Sequence, residues 1–316
     1  MKPTTMRSRV RAYLAHRRKL GFILRSQECH LRGFSSFADR TAPGQPLTTA
    51  LALQWAASVG TNRFGYQAMR YQSVRNLARY LAALDPRTQV PTARLLGSTM
   101  IRRQPHIFTP KEVRLMMRQS RQIPHRNHYA ALRPLTFETI IGLMFCTGLR
   151  RAEVLRLRLA DFDPHARTIM VRQTKSSPPR ILPLHSTVVS ALQRYQQARQ
   201  RIIPFGDLFF VCQRGMPFWP SLITQYFGQV ARGIVPNGAR SRVRLTDLRH
   251  TFATRRIAAW SRRATPVPHY LTLLSRYMGH KQFNATWWYV SPDLSALKGA
   301  AQLFQHFQHD KSSNQL

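Results

Sequence analysis

Apolar residues recur at helical spacing through the first eighty positions. In "SVRNLARYLAAL", Val74, Leu77, Ala78, Leu81 and Leu84 fall on one face of a helix. "SQECHLRGFSSFA" predicts a second helix, with Ser26 as N-cap and Cys29, Leu31, Phe34 and Phe37 facing inward. "RVRAYLAHRRKLGF" and "TALALQWAASV" add two more, with the Pro/Gly-rich "TAPGQP" as a break. An all-α bundle over residues 1–85 is therefore expected. Periodicity then weakens, and Pro86, Pro91, Gly97 and Pro105 punctuate a basic stretch that reads as a linker over 86–108.

Regular patterning resumes at "TPKEV". Thr109 is a good N-cap, Pro110 suits the first helical position, and Glu112 completes a capping box. The apolar run "LTFETIIGLMFC" predicts a helix ending at Thr147-Gly148, and "RAEVLRLRLADF" predicts another that stops at Asp163-Pro164. "RTIMVRQT" and "RILPLH" read as two strands with "KSSPP" as the hairpin tip. "SLITQYFGQVA" and "DLRHTFATRRIAAW" return to helix. The expected fold class is mainly α with a small β-sheet: an α+β domain over 109–290, preceded by the all-α bundle. Beyond it, "SPDLSALKGAAQLFQHF" predicts an amphipathic helix over 291–309. Ser291 caps it, and Leu294, Leu297, Ala301 and Phe304 lie along one side. A polar, disordered tail over 310–316 follows, and no internal repeat is visible.

Charge changes the picture most. The 316 residues include 49 Lys and Arg against 12 Asp and Glu, a net charge of +37. Such an excess repels itself unless a polyanion meets it, and a nucleic-acid backbone is the obvious one. The basic residues are spread along the chain, which argues against a membrane surface recognised by one local cluster. No apolar stretch reaches the roughly 18 residues expected of a spanning helix, and no secretory signal opens the chain. Cys29, Cys146 and Cys212 are odd in number and far apart, which suits a reducing cytoplasm and makes no disulfide framework. No metal is expected, because neither HExxH nor paired Cys/His spacing occurs.

Four short stretches carry candidate chemistry. "TGLRRAEVLRL" places Arg150 just after a glycine at a helix start, able to aim a planar charged fork at a phosphate. "TKSSPPRILPL" puts Lys175 at a strand end beside a turn. "TDLRHTFAT" buries Arg249 and His250 in an otherwise apolar helix, where a charge wants a partner or a ligand. "MGHKQFNATWWYV" supplies His280 and, nine residues later, Tyr289 behind Trp287 and Trp288.

Taken together and in this order, the four stretches resemble those of the tyrosine recombinases, the phage-integrase and Xer-like site-specific DNA recombinases. The resemblance spans roughly residues 105 to 300; the N-terminal bundle matches the family's core-binding, DNA-clamping domain only in position and character. It implies Arg150 and Arg249 as the catalytic arginines and Lys175 as the hairpin lysine. It likewise implies His280 as the late histidine and Tyr289 as the nucleophile. Attack by Tyr289 would give a 3′-phosphotyrosyl link and a free 5′-hydroxyl, with Lys175 protonating the leaving oxygen. Neither a metal nor any other cofactor is called for, because the phosphodiester bond is exchanged and its energy conserved.

One position departs from the family pattern: Thr246 stands where H-x-x-R would place a histidine. Threonine can donate a hydrogen bond to a phosphate oxygen but cannot exchange a proton near neutral pH. His250 is either a substitute for it or a support behind the site. Glu153, three residues after Arg150, either orients a site residue or makes a plain helix salt bridge. The implied partners are double-stranded DNA and three further copies in a tetramer on paired sites, with no membrane. The C-terminal helix docks either on its own domain or on a neighbouring protomer, and the implied location is the nucleoid within the cytoplasm. Two rival readings keep the same residues: a type IB topoisomerase-like enzyme, and a catalytically silent DNA-binding protein, which Thr246 favours.

Overall fold

The computed structural model describes residues 5–60, 64–99, 104–124, 128–173, 178–212, 215–234, 243–261, 267–280 and 286. The chain divides into two units, Met1–Arg103 and Gln104–Leu316.

Four helices build the first unit: α1 (Met6–Lys19), α2 (Arg25–Thr41), α3 (Thr49–Ala57) and α4 (Phe64–Ala82). Thr5 and Thr48 cap α1 and α3 by accepting from the amides of Ser8 and Leu51. Leu31, Phe34, Trp55, Tyr71, Val74 and Leu77 meet in one core. Three expected positions differ. Helix α2 starts at Arg25 behind Leu24, and Ser26 is not its cap. Leu24 is itself buried in the core, and this fixes the start earlier. Cys29 lies exposed on the outer face. Leu84 is 68% exposed because α4 ends at Ala82 and a turn closes behind it, Leu84 N–H to Leu81 C=O.

The expected linker is held at both ends. Gln89 N–H donates to Leu47 C=O at 2.9 Å, Arg75 Nε to Pro91 C=O at 2.9 Å, and Tyr71 Oη to Thr92 C=O at 3.1 Å. Leu96 packs on the same core, so this stretch is part of the first unit. At the other end Phe108 is buried in the second unit, where its N–H donates to Thr251 Oγ1 at 2.9 Å.

The second unit opens with α5 (Pro110–Ser120), and the expected capping box of Thr109 and Glu112 is present. Helix α6 (Arg133–Thr147) runs through the middle of the core, with Phe137, Ile140, Ile141 and Met144 fully buried. The window Ala130–Thr147 is 18 residues with mean hydropathy 1.2, enough by length and composition alone to cross a membrane. The expectation that no such stretch exists is therefore corrected. Buried threonines and Glu138, which is paired with Arg121 at 2.7 Å, interrupt the apolar run without stopping it from being a core helix.

The long helix expected from "RAEVLRLRLADF" is only one turn, α7 (Arg151–Val154). Beyond it the backbone pairs with a neighbouring segment: Leu159 N–H donates to Asp207 C=O at 2.8 Å, and Phe209 N–H to Leu157 C=O at 2.7 Å. Those bonds replace the helical ones, and Asp161 caps the resulting turn through Arg158 N–H at 2.8 Å. A three-stranded antiparallel sheet follows, β1 (Phe162–Asp163), β2 (Thr168–Val171) and β3 (Arg180–Pro183), in that order. Ile169 pairs with Leu182 and Val171 with Arg180. Ile169, Val171 and Leu182 face the core, whereas Met170 and Ile181 face solvent.

Helices α8 (Ser186–Ile202), α9 (Pro220–Val230), α10 (Leu245–Ser261) and α11 (Val267–Met278) complete the unit. Strand β1 and helices α8 and α11 add to the elements expected. The fold is mainly helical with a small antiparallel sheet. The amphipathic segment 291–309 and the tail 310–316 lie outside the described residues.

Candidate active site

The site is built where α6 ends, α7 begins, and α10 and α11 meet them. Helix α6 stops at Gly148, whose φ of +64° is a left-handed cap. A Cβ there would lie 2.5 Å from Phe252 Cδ1, so only glycine fits. Two residues later Arg150 caps α7, and its own N–H donates to Glu153 Oε2 at 2.9 Å.

Helix α11 closes with a second left-handed glycine, Gly279. Gly279 N–H donates to Arg276 C=O and His280 N–H to Ser275 C=O, both at 3.0 Å. The carbonyls of residues 277 to 279 remain at the negative end of the helix dipole. Three arginines from three other elements take them. Arg180 Nε on β3 donates to Tyr277 C=O at 2.7 Å. Arg249 Nη2 on α10 donates to Met278 C=O at 2.9 Å, and Nη1 reaches Gly148 C=O at 2.6 Å. Arg150 donates to Met278 C=O at 3.3 Å and to Gly279 C=O at 2.9 Å.

Glu153 binds two of these arginines. It accepts from Arg150 Nη1 at 3.0 Å, and Arg180 grips both its oxygens at 3.1 and 2.9 Å. Its side chain is 1% exposed. Burial raises its pKa, but the bonds and charges of Arg180 and Arg150 outweigh that and hold it below the usual carboxylate range. Of the two alternatives for this residue, orienting group or plain salt bridge, the contacts include both: it pairs with Arg150 and also fixes the direction of that side chain.

His280 Nε2 lies 2.9 Å from Arg249 Nη2, and Nδ1 lies 2.8 Å from Thr286 Oγ1. A guanidinium can only donate, so Nε2 accepts and the ring proton sits on Nδ1, donating to Thr286. Burial, then the charges of Arg249, Arg150 and Arg180, push the His280 pKa down to about 4, against a smaller opposing pull from Glu153. The ring is therefore neutral at pH 7 without a bound anion.

The structure thus gathers Arg150, Glu153, Arg249 and His280. Thr246 is exposed on the first turn of α10, one turn before Arg249. His250 is half-buried beside Arg249; burial lowers its pKa, Asp247 opposes this, and Arg244 and Arg249 add to it. Lys175, Trp287, Trp288 and Tyr289 lie outside the described residues. Among the described residues no cluster of His, Cys, Asp and Glu could hold a metal ion.

Two residues at this site escaped the sequence reading. Arg180 carried a usable signal: it shares its strand face with Leu182 and pairs with Val171, so strand alternation turns a cation inward, where it needs a partner. Thr286 carried none, being one polar residue in a stretch between two marked ones.

A buried cationic cradle, with the side chain of Arg150 still 27% exposed, is suited to an oxyanion such as a phosphodiester. Comparison with known proteins agrees with that class. The model of the phage integrase family matches residues 106–295. A putative integrase/recombinase of Sinorhizobium fredii, y4rB, is 32% identical over 98% of this chain and 100% of its own length. Tyrosine recombinase XerD of Listeria monocytogenes is 26% identical over 73% of this chain and 77% of its own. In fold, the Tn1549 transposon integrase, solved in complex with transposon right end DNA, matches with a TM-score of 0.67 at 17% identity. That match covers 94% of this chain and 98% of the other. The chain belongs to the phage integrase family and is a tyrosine recombinase.

Proposed function

We propose that this recombinase binds double-stranded DNA and cuts and rejoins its strands at specific sites through a 3′-phosphotyrosyl bond to Tyr289. The observation that carries the reading is the convergence of Arg150, Arg249 and His280 on one end of α11. The scissile phosphate takes the place of backbone carbonyls as a partner of the two guanidiniums, which offset the charge developing on its oxygens. The Tyr289 hydroxyl passes its proton to water as it attacks phosphorus; the P–O bond to tyrosine forms as the P–O5′ bond breaks. The departing 5′ oxygen takes a proton from Lys175, and the reverse attack by a 5′-hydroxyl reseals the strand. The net charge of +37 supplies the general attraction to the backbone, which carries no sequence information.

Strand exchange between two duplexes needs four cleavages, hence four protomers. An open apolar groove of about 1030 Å³ on the second unit supports a docking role for the C-terminal segment. Phe145, Val188, Phe252, Trp260 and Leu274 are among its lining residues. Leu294, Leu297 and Phe304 have the matching chemistry, and a neighbouring protomer is the source that assembly on DNA would use.

The test uses a pool of nicked duplexes of random sequence, incubated with the protein and then denatured. A covalent protein–DNA adduct is expected, lost in Arg150→Ala and Arg249→Ala. Binding to the pool without any adduct would favour the silent DNA-binding protein instead.

A further inference from the structure

Three arginines close the end of α11, and the proposed chemistry accounts for two. The third, Arg180, sits on β3, whose side chains otherwise pack the sheet on the core or face solvent. Its side chain is 9% exposed. All three directions of its fork are used within the site: Nη1 and Nη2 on the two oxygens of Glu153, Nε on Tyr277 C=O. A lysine in its place could engage one of these partners as a point charge, but not the set.

The position of Arg180 in the chain gives these bonds their meaning. It is the first residue of β3 and follows Lys175 by five positions. Strands β2 and β3 are consecutive and antiparallel, with Val171 paired to Arg180, so Lys175 falls in the chain between the two paired strand ends. On the β2 side, Arg172 Nε is bound to Asp161 Oδ1 at 2.7 Å, and neither residue is bonded to the α11 turn in the contacts described. On the β3 side, Arg180 is bonded to the carboxylate that orients Arg150 and to the turn that presents His280. Of these two flanking contacts, only the one at Arg180 joins the hairpin to the phosphate cradle.

We propose that Arg180 is a positioning residue: it clamps β3 to Glu153 and to the end of α11, and so holds the hairpin carrying Lys175 in register with Arg150, Arg249 and His280. The inference rests on the reading of Lys175 as proton donor to the 5′ oxygen. It assigns Arg180 no contact with DNA. What it adds is a physical link between the donor's hairpin and the pocket where the donor must act, since a donor misplaced by an ångström loses most of its effect.

A change of leaving group separates this role from a merely structural one. With sulfur in place of the bridging 5′ oxygen, the P–S bond breaks and a thiolate leaves. A simple thiol has a pKa of about 8.5, so little protonation is needed and the donor becomes dispensable. Cleavage would be followed in single turnover on the duplex that the wild-type protein cuts, with oxygen or sulfur at the bridge. Wild type, Lys175→Ala, Arg180→Lys and Arg180→Gln would be compared, each checked for binding and thermal melting.

Arg180→Lys should bind DNA as wild type does and cut the oxygen substrate about tenfold or more slowly. On the sulfur substrate it should recover the wild-type rate, as Lys175→Ala does. Arg180→Gln should behave in the same way, and it carries the test if the lysine variant does not fold. The proposal is overturned if Arg180→Lys cuts the oxygen substrate at the wild-type rate. It is also overturned if its deficit persists on sulfur while that of Lys175→Ala disappears. Failure of sulfur to rescue Lys175→Ala would refute the proton-donor reading itself, and the role of Arg180 with it, while leaving the adduct on Tyr289 untouched.

Discussion

His280 shows how far a single side chain depends on its surroundings. Its ring is wedged between Arg249 and Thr286, and burial with three nearby guanidiniums brings its pKa down to about 4. A base whose pKa falls on folding is protonated more readily in the unfolded chain, so protonation favours unfolding. Stability should therefore fall as pH drops from about 6.5, the unfolded value, towards 4. The loss is on the order of 2 to 3 kcal/mol from this residue. His30 and His250 are shifted the same way, so the relevant quantity is the difference between wild type and His280→Gln. The variant should show a shallower decline of melting temperature over that window; an unchanged slope would contradict the assigned environment. Glu153 is held low, so its contribution is fully present above the usual carboxylate range and is lost as pH falls through its depressed pKa. Thr246 is exposed, one turn from Arg249, so Thr246→His should leave cleavage intact or raise it. A collapse of cleavage would mean that the pocket is organised around threonine. Arg150, Arg249 and His280 were legible as residues because a buried charge inside an apolar pattern, or beside a glycine turn, is marked by its setting. Arg180 was legible only through strand register, and Thr286 becomes visible only through its contact with His280.

Elements were legible where their signals are local. Thr109, Pro110 and Glu112 announce the start of α5, and Thr109→Ala should lower stability by about 1 kcal/mol in denaturant unfolding. Gly148 is a stronger case, because it ends α6, lies against Phe252 and offers its carbonyl to Arg249. Gly148→Ala should cost more than about 1 kcal/mol from the backbone conformation alone. It should also slow adduct formation by displacing Arg249; a stable, fully active variant would refute this account of the turn. The helix predicted over "RAEVLRLRLADF" failed for a non-local reason. Its leucines keep helical spacing, yet the backbone after Val154 pairs with residues 207 and 209, far along the chain. Likewise Ser26 had the chemistry of a cap, but burial of Leu24 decided where α2 begins. Local pattern yields to tertiary pairing where both compete for the same backbone groups.

For the whole molecule, charge and the order of motifs said more than periodicity did. A net charge of +37 predicts non-specific binding to duplex DNA that weakens steeply with salt. Six to ten phosphate contacts correspond to a loss of about 10³ to 10⁵ in affinity between roughly 50 and 200 mM salt. A titration showing little salt dependence would contradict the proposed electrostatic partner. The division of the chain falls between Arg103 and Gln104, within the stretch that composition marked as irregular, but composition could not show that residues 89 to 96 are bonded to the helical unit. Proline and glycine mark where regular structure stops and say nothing of what the backbone then packs against. Peptide mapping of the adduct shows which residue carries the covalent bond to DNA. After proteolysis and nuclease treatment, mass spectrometry should find a nucleotide joined through its 3′-phosphate to the peptide containing Tyr289, and no adduct in Tyr289→Phe. A nucleotide on another residue, or an adduct that survives in Tyr289→Phe, would contradict the account.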